Sequence, residues 1–308
     1  MERGIENATK MHRATITIMM LASLAMMLAI ALAGKGDAAE VYSVVPRGSQ
    51  QPATAQEGAR TYLGFDRNDY PGDGALDALR KTFAFCGYWL NAPPGENSNT
   101  WRGKREILRA RGFGFLVLFD GRLDKELKTA RDPKLMGAVD AQAAMEAAQT
   151  QGFPRGTVIF VDQEEGGRML PEQREYLYAW IDGVNAAGYR AGVYCSGIPD
   201  KPGAGGVITA NDIRENAGAR QISFFAYNDA CPPSPGCVFF VAQVANRQSG
   251  VPSAAVWQIA QSPRRKNITA RCRMTYAADG NCYAPGLAAQ GVYLDVDVAA
   301  SADPSNGR

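Results

Sequence analysis

Asp162 and Glu164 stand two residues apart at the end of an apolar run, Thr157-Val-Ile-Phe-Val161. On an extended strand that spacing aims both side chains at one face, about 7 Å apart along the backbone. Two carboxyls this close repel when both are ionised, so one holds its proton and the pair offers an acid beside a base near neutral pH. Cleavage of a glycosidic bond needs that division of labour. Glu164, with the longer side chain, would protonate the departing sugar oxygen, while Asp162 stays ionised beneath the developing positive charge. Asp66 and Asp295 close two further apolar runs and are expected to hold or orient the sugar from the other side. Glu165 is expected to face away from the pair or to enter the Gly166-Gly167 loop. The structural alternative for any single strand-end acid is a loop cap or an ion pair, with Arg67 and Arg168 at hand.

Other chemistries are excluded by what the chain lacks. His12 is its single histidine and lies in the N-terminal basic stretch. A chain cut behind that stretch has no Ser-His-Asp triad, no Cys-His pair and no His-ligated zinc site. The six cysteines include no Cys-x-x-Cys pair, which argues against a thiolate metal site. No metal and no organic cofactor is expected. With 33 basic against 31 acidic residues and a net charge of +2, the chain carries no electrostatic footprint for nucleic acid. Tyr88, Tyr194, Tyr227 and Trp257, with Asn228 and Gln258, are expected to offer stacking faces and polar groups to a sugar.

These residues must be positioned by strands. Apolar runs recur as Tyr62-Leu-Gly-Phe-Asp66, Phe85-Cys-Gly-Tyr-Trp89, Phe115-Leu-Val-Leu-Phe119, Thr157-Val-Ile-Phe-Val161, Ala191-Gly-Val-Tyr194, Ile222-Ser-Phe-Phe-Ala226, Ala255-Val-Trp257 and Gly291-Val-Tyr-Leu294. Near-continuous apolar strands imply burial on both faces, as in parallel sheets. Between them, Pro171–Ala187 places Tyr176, Leu177, Trp180, Ile181 and Val184 on one helical face. Gly137–Gln151 repeats Ala138, Ala141, Met145 and Ala148 at helical spacing, and Lys104–Arg111 reads as a third helix. The alternation predicts an α/β chain folded as a single TIM-like (β/α) barrel over 61–300, with room for irregularity in its last third, where 230–288 is rich in Cys and Pro. A doubly wound open sheet is the alternative, but no Gly-x-Gly-x-x-Gly turn follows the first strand. The strand ends would then converge on one rim, carrying Asp66, Asp120, Asp162, Glu164, Tyr227, Asn228, Trp257, Gln258 and Asp295.

Ahead of the barrel, residues 1–33 carry Arg3, Lys10 and Arg13, then an uncharged stretch from Ala14 ending in Ala31-Leu-Ala33. This is the pattern of a cleaved signal peptide, although its length also suits an uncleaved membrane anchor. The expected location is therefore secreted or in the cell envelope, with membrane contact only through that segment. Residues 34–60 are expected to form a flexible linker, and 301–308 a C-terminal tail. An even number of cysteines fits an oxidising compartment. Cys231 with Cys237, and Cys272 with Cys282, are expected to staple their own loops, leaving Cys86 and Cys195 as buried small hydrophobes. Asn267-Ile-Thr269 fits a glycosylation acceptor.

Gly64-Phe-Asp66 with Tyr70-Pro-Gly72, Gly137-x-x-Asp140-Ala141, Ile159-Phe-Val-Asp162, Gly192-Val-Tyr194, and Trp257-Gln258 with Asp295 together resemble the glycoside-hydrolase-like domain family of secreted bacterial cell-wall proteins. That family is related to the family 25 glycoside hydrolases, the muramidase-type lysozymes. The resemblance covers about residues 61–300. It implies an irregular (β/α) barrel, a cell-wall glycan, in particular peptidoglycan, as partner, Glu164 as acid, and the substrate's own acetamido group as nucleophile. It matches Asp66 to the muramidases' first-strand aspartate, Asp162-x-Glu164 to their Asp-x-Glu, and Asp295 to the aspartate of their closing Asp-x-Asn. The chain departs from the pattern at Asp297, where Asn is usual, and at Tyr88, where the domain family commonly has Arg. Another exported polysaccharide as substrate, or a non-catalytic glycan-binding scaffold on the same barrel, are the other readings.

Overall fold

A computed structural model describes residues 60–240, 246–265 and 275–308. The expected signal or anchor segment, the linker up to residue 59, Cys272 and the Asn267-Ile-Thr269 acceptor lie outside the described residues.

Eight strands close into one barrel in sequence order. They are β1 (Tyr62–Asp66), β2 (Phe85–Trp89), β3 (Gly114–Asp120), β4 (Val158–Asp162), β5 (Arg190–Ser196), β6 (Ser223–Tyr227), β7 (Val256–Ala260) and β8 (Asp295–Ala299). Neighbours from β1 to β7 pair parallel, whereas β8 runs antiparallel to both β7 and β1. The eighth strand is therefore a correction. It occupies Asp295–Ala299 rather than the expected Gly291–Leu294, and Asp295 opens it instead of closing it. Because the strand is reversed, its first residue pairs with the last residue of β1, Asp66. Asp295 thus reaches the same rim by the opposite route.

The helices lie outside the barrel: α1 (Leu76–Arg80), α2 (Arg105–Ala110), α3 (Asp124–Leu127), α4 (Pro133–Thr150), α5 (Pro171–Ala186) and α6 (Thr209–Asn216). α5 buries the face expected of it, Tyr176, Leu177, Trp180, Ile181 and Val184. α4 begins earlier than the alanine spacing indicated, because Pro133 occupies its first turn and Asp132 accepts a hydrogen bond from the Leu135 N–H. Its small residues let it approach α5 closely, with Ala141 against Gly183. Beyond β6 the described residues contain no α-helix, and 3₁₀ turns at Asn246–Ser249 and Ala288–Gln290 accompany β7 and β8, which is the irregular last third.

The end of the barrel opposite the rim is sealed by the chain terminus. Asp303 Oδ1 accepts from the Phe115 N–H and Ser305 Oγ from the Val117 N–H, each at 2.8 Å. The Ser305 carbonyl accepts from Val158 at 2.8 Å. Pairing of β3 with β4 begins only at Val117 and Ile159, and the terminal segment fills the gap below. Residues 301–308 are thus built into the fold rather than trailing from it.

One disulfide joins Cys237 to Cys282, with Cα atoms 5.2 Å apart. This overturns both expected local staples, since each contained one of these two cysteines. Cys231 is also disulfide-bonded. Cys86 and Cys195 are buried free thiols, pushed well above their usual range by burial.

Candidate active site

On a strand, alternate residues face the barrel interior. On β1 and β2 the inward residues at the rim are Asp66, Gly87 and Trp89. A side chain at Gly87 would run into Asp66, so the glycine makes room for the carboxyl. Asp162 closes β4, and Glu164 sits in the following loop, beyond the strand rather than on it. β5 supplies Tyr194 and β7 supplies Gln258. These residues with Asp295 line a cavity of about 490 Å³ that also includes Trp89, Leu118 and Phe225. A second lobe of about 570 Å³ adds Tyr227, Asp229 and Arg264. Glu164, Tyr194, Gln261, Arg265 and Asp295 belong to both lobes, so the two form one groove with Glu164 at the junction.

A chain of side-chain hydrogen bonds fixes the floor. Gln261 Nε2 donates to the Tyr194 hydroxyl at 2.8 Å, and that hydroxyl donates to Gln258 Oε1 at 2.7 Å. With its oxygen so engaged, Gln258 turns its amide nitrogen to the acids, donating to Asp66 Oδ2 at 2.8 Å and Asp295 Oδ2 at 3.4 Å. Asp295 Oδ1 also accepts from the Ser262 N–H. Asp162 Oδ1, closed off from solvent, has no hydrogen-bond partner.

Burial and mutual repulsion raise the proton affinity of these acids. Asp66 is pushed up to about 6 by burial, against the lowering effect of the Gln258 and Asp297 contacts. Burial lifts Asp162 well above the carboxylate range, with Glu164, Asp120 and Asp66 adding to it. Asp295 is raised well above that range by burial and then by Asp66. Glu164, exposed at the lip, is raised by partial desolvation and by Glu165, while Arg265 opposes the shift. Asp162 is expected to stay ionised; its burial beside Glu164, Asp120 and Asp66 works against that charge in the free protein.

The structure places the other expected residues unevenly. Tyr194 and Tyr227 line the groove, their rings 5.5 Å apart. Tyr88 and Trp257 do not, because each is the outward neighbour of an inward residue. Tyr88 is fully buried behind β2 among Trp101, Phe115 and Phe153, its hydroxyl donating to Gln151. Trp257 is fully buried, and its indole N–H donates to the Asn228 carbonyl at 3.0 Å. Asn228 lies past the end of β6, and its amide nitrogen points to the Gln248 carbonyl. Two residues were missed, Trp89 and Gln261, which line the groove. Asp120, expected at the rim, closes β3 beside Glu164 with its carboxyl pushed up to about 6 by burial. Trp89 is legible from strand alternation. Gln261 follows β7 in a loop with no sequence signal. Glu165, expected to face away, accepts from the Asp124 N–H and from Gln163. Among the described residues no group of His, Cys, Asp and Glu is arranged to hold a metal ion.

Comparison with known proteins gives three findings. The family model described as Rv2525c-like, glycoside hydrolase-like domain matches residues 83–273. No curated protein matches. Among solved structures, an uncharacterized B. stearothermophilus protein is similar at 18% identity and a TM-score of 0.50, over 77% of this chain and 95% of its own. The Mycobacterium tuberculosis Tat-secreted protein Rv2525c, in complex with L-tartrate, gives 13% identity and 0.47 over 78% and 94%. The catalytic domain of endolysin ply40 from bacteriophage P40 of Listeria monocytogenes gives 12% and 0.43 over 80% and 96%.

Proposed function

The chain belongs to the Rv2525c-like, glycoside hydrolase-like domain family, and from that premise we propose that it is an exported glycosidase acting on a cell-wall polysaccharide, peptidoglycan in the first instance. The observation that carries this reading is the position of Glu164 between the two lobes, with Asp66 and Asp162 lining only the inner one. A glycan laid along the groove has one sugar over the acids and the next in the outer lobe, which puts the linking oxygen beside Glu164.

The Glu164 carboxyl, raised above its usual range, gives its proton to that oxygen as the bond from C1 breaks. Positive charge then spreads over C1 and the ring oxygen. The buried acids beneath repel each other when ionised, and an adjacent positive charge relieves that repulsion. Their electrostatic stabilisation is therefore stronger in the transition state than in the ground state. The substrate's acetamido oxygen closes on C1, water displaces it, and the water proton returns to the Glu164 carboxylate. Tyr194 and Trp89 offer apolar faces to the inner sugar. The Cys237–Cys282 disulfide suits export to an oxidising compartment.

A glycan-binding scaffold without turnover is the second reading. It is favoured by the burial that raises Asp162, Asp295 and Asp297 well above the carboxylate range, since that burial works against the charge they would have to carry. The test is release of new reducing ends from purified peptidoglycan by the protein and by Glu164→Gln. The proposal expects release by the parent and a loss of about 10²–10⁴-fold in the variant. Binding of the glycan without release by either protein would decide for the scaffold, and release only from another polysaccharide would reassign the substrate.

A further inference from the structure

One more acid lies beneath the groove. Asp297, two residues along β8 from Asp295, pairs across the sheet with Gly64 of β1 and Gln258 of β7. It is fully buried. A side chain at Gly64 would run into the Phe85 ring, so the wall beside Asp297 is already filled. Because Asp297 pairs with Gly64 and Asp295 with Asp66, Asp297 and Asp66 are diagonal neighbours on the inward face of the β1–β8 pair, and each carboxyl acts on the other.

As a carboxylate, Asp297 has no donor for either oxygen. Among the described residues the charged groups that act on it are Asp66 from β1 and Asp295 on its own strand, both acidic, and none is a cation. The polar group across from it on β7 is spent, since the Gln258 amide donates to Asp66 and Asp295 and its oxygen accepts from Tyr194. Two ionised carboxylates have only lone pairs to offer each other, and one proton between them turns the contact into a hydrogen bond. The surroundings decide which residue carries it. Asp66 already accepts a donor and opens on the groove, whereas Asp297 has no other donor and no path to water. Burial pushes Asp297 well above the carboxylate range.

We propose that Asp297 is a positioning residue for the hydrolysis, a buried carboxylic acid that donates a hydrogen bond to Asp66 and holds it ionised and aimed at the inner sugar. The role in turnover rests on the glycosidase reading, whereas the protonation state does not.

Two readouts on the full chain keep the claims separate. Infrared difference spectra between the parent and Asp297→Asn at neutral pH should show the carbonyl band of a protonated carboxylic acid in the parent alone. In peptidoglycan hydrolysis, Asp297→Leu, which removes the donor, should lower kcat about ten- to a hundredfold, the size of one hydrogen bond to a charged group, with KM little moved. Asp297→Asn restores a donor that cannot ionise, so it should recover most of that loss and keep its rate at alkaline pH where the parent declines. Loss of no carboxylic acid band on the Asn substitution would overturn the proposal. So would an alkaline limb identical in parent and Asn variant, a comparison that holds even if the Leu variant does not fold. A parent with no turnover but with the infrared band would overturn the glycosidase reading and leave the buried acid established.

Discussion

The two ends of this barrel are built from opposite materials. At the closed end, backbone groups left open between β3 and β4 are satisfied by the chain terminus, through Asp303 and Ser305. At the open end, acids from β1, β4 and β8 face one another with a single glutamine amide shared between Asp66 and Asp295. One end removes unsatisfied polar groups, and the other accumulates them. The contrast sets a backbone seal at the closed end against a cluster of acids at the open one, and on the proposed function this is the division expected of barrels with active sites at the strand C-termini. The reversed β8 does not upset it, because reversal brings the start of that strand to the open rim.

The largest expected effect comes from breaking the closed end. Truncation after Ala302 removes the partners of the Phe115, Val117 and Val158 N–H groups. Each orphaned buried donor costs about 1–3 kcal/mol, a total that rivals the stability of an ordinary domain. The truncated chain should lose its cooperative thermal transition. Ser305→Ala alone should lower stability by about 1–3 kcal/mol, since it orphans the Val117 N–H. A truncated chain with an unchanged unfolding midpoint would erase the distinction between the ends.

A smaller effect sharpens the other side. A carboxyl that binds its proton more tightly when folded contributes stability that is full below its unfolded pKa, ~4. That contribution is lost as pH rises through the folded value, about 6 for Asp66 and for Asp120. Thermal stability should therefore fall between about pH 4 and pH 6, with a slope of at most about 1.4 kcal/mol per pH unit for each group. Asp66→Asn should flatten the slope while leaving the barrel folded. A midpoint that rises over that interval would show that the open end is not strained by its acids.

Much of this arrangement was legible before any coordinates. Seven strands fall where apolar runs mark them, because a strand buried on both faces leaves a strong signal. α5 follows from its one-sided apolar face. The acids Asp66, Asp162, Glu164 and Asp295 were found from their places beside those runs. Errors arose where a signal was two-sided or non-local. Tyr88 and Trp257 were grouped with the rim because they are aromatic and near strand ends. Alternation shows instead that Trp89 and Gln258 share the inward face, and adjacent residues on a strand cannot both do so. The direction of β8 was hidden because a closing strand can return either way. The partner of Cys237 lies 45 residues away, brought near by loops whose path leaves no local mark. The terminal plug carries little apolar content, since its task is to satisfy backbone groups.

The central claim is that the open end hydrolyses a glycosidic bond, and the most direct measurement is mass analysis of fragments released from purified peptidoglycan in ¹⁸O-labelled water. The account predicts one labelled oxygen at the new reducing end of each fragment, formed by the parent and lost in Glu164→Gln. Fragments formed by both proteins alike, or a parent that binds the glycan and releases none, would contradict it.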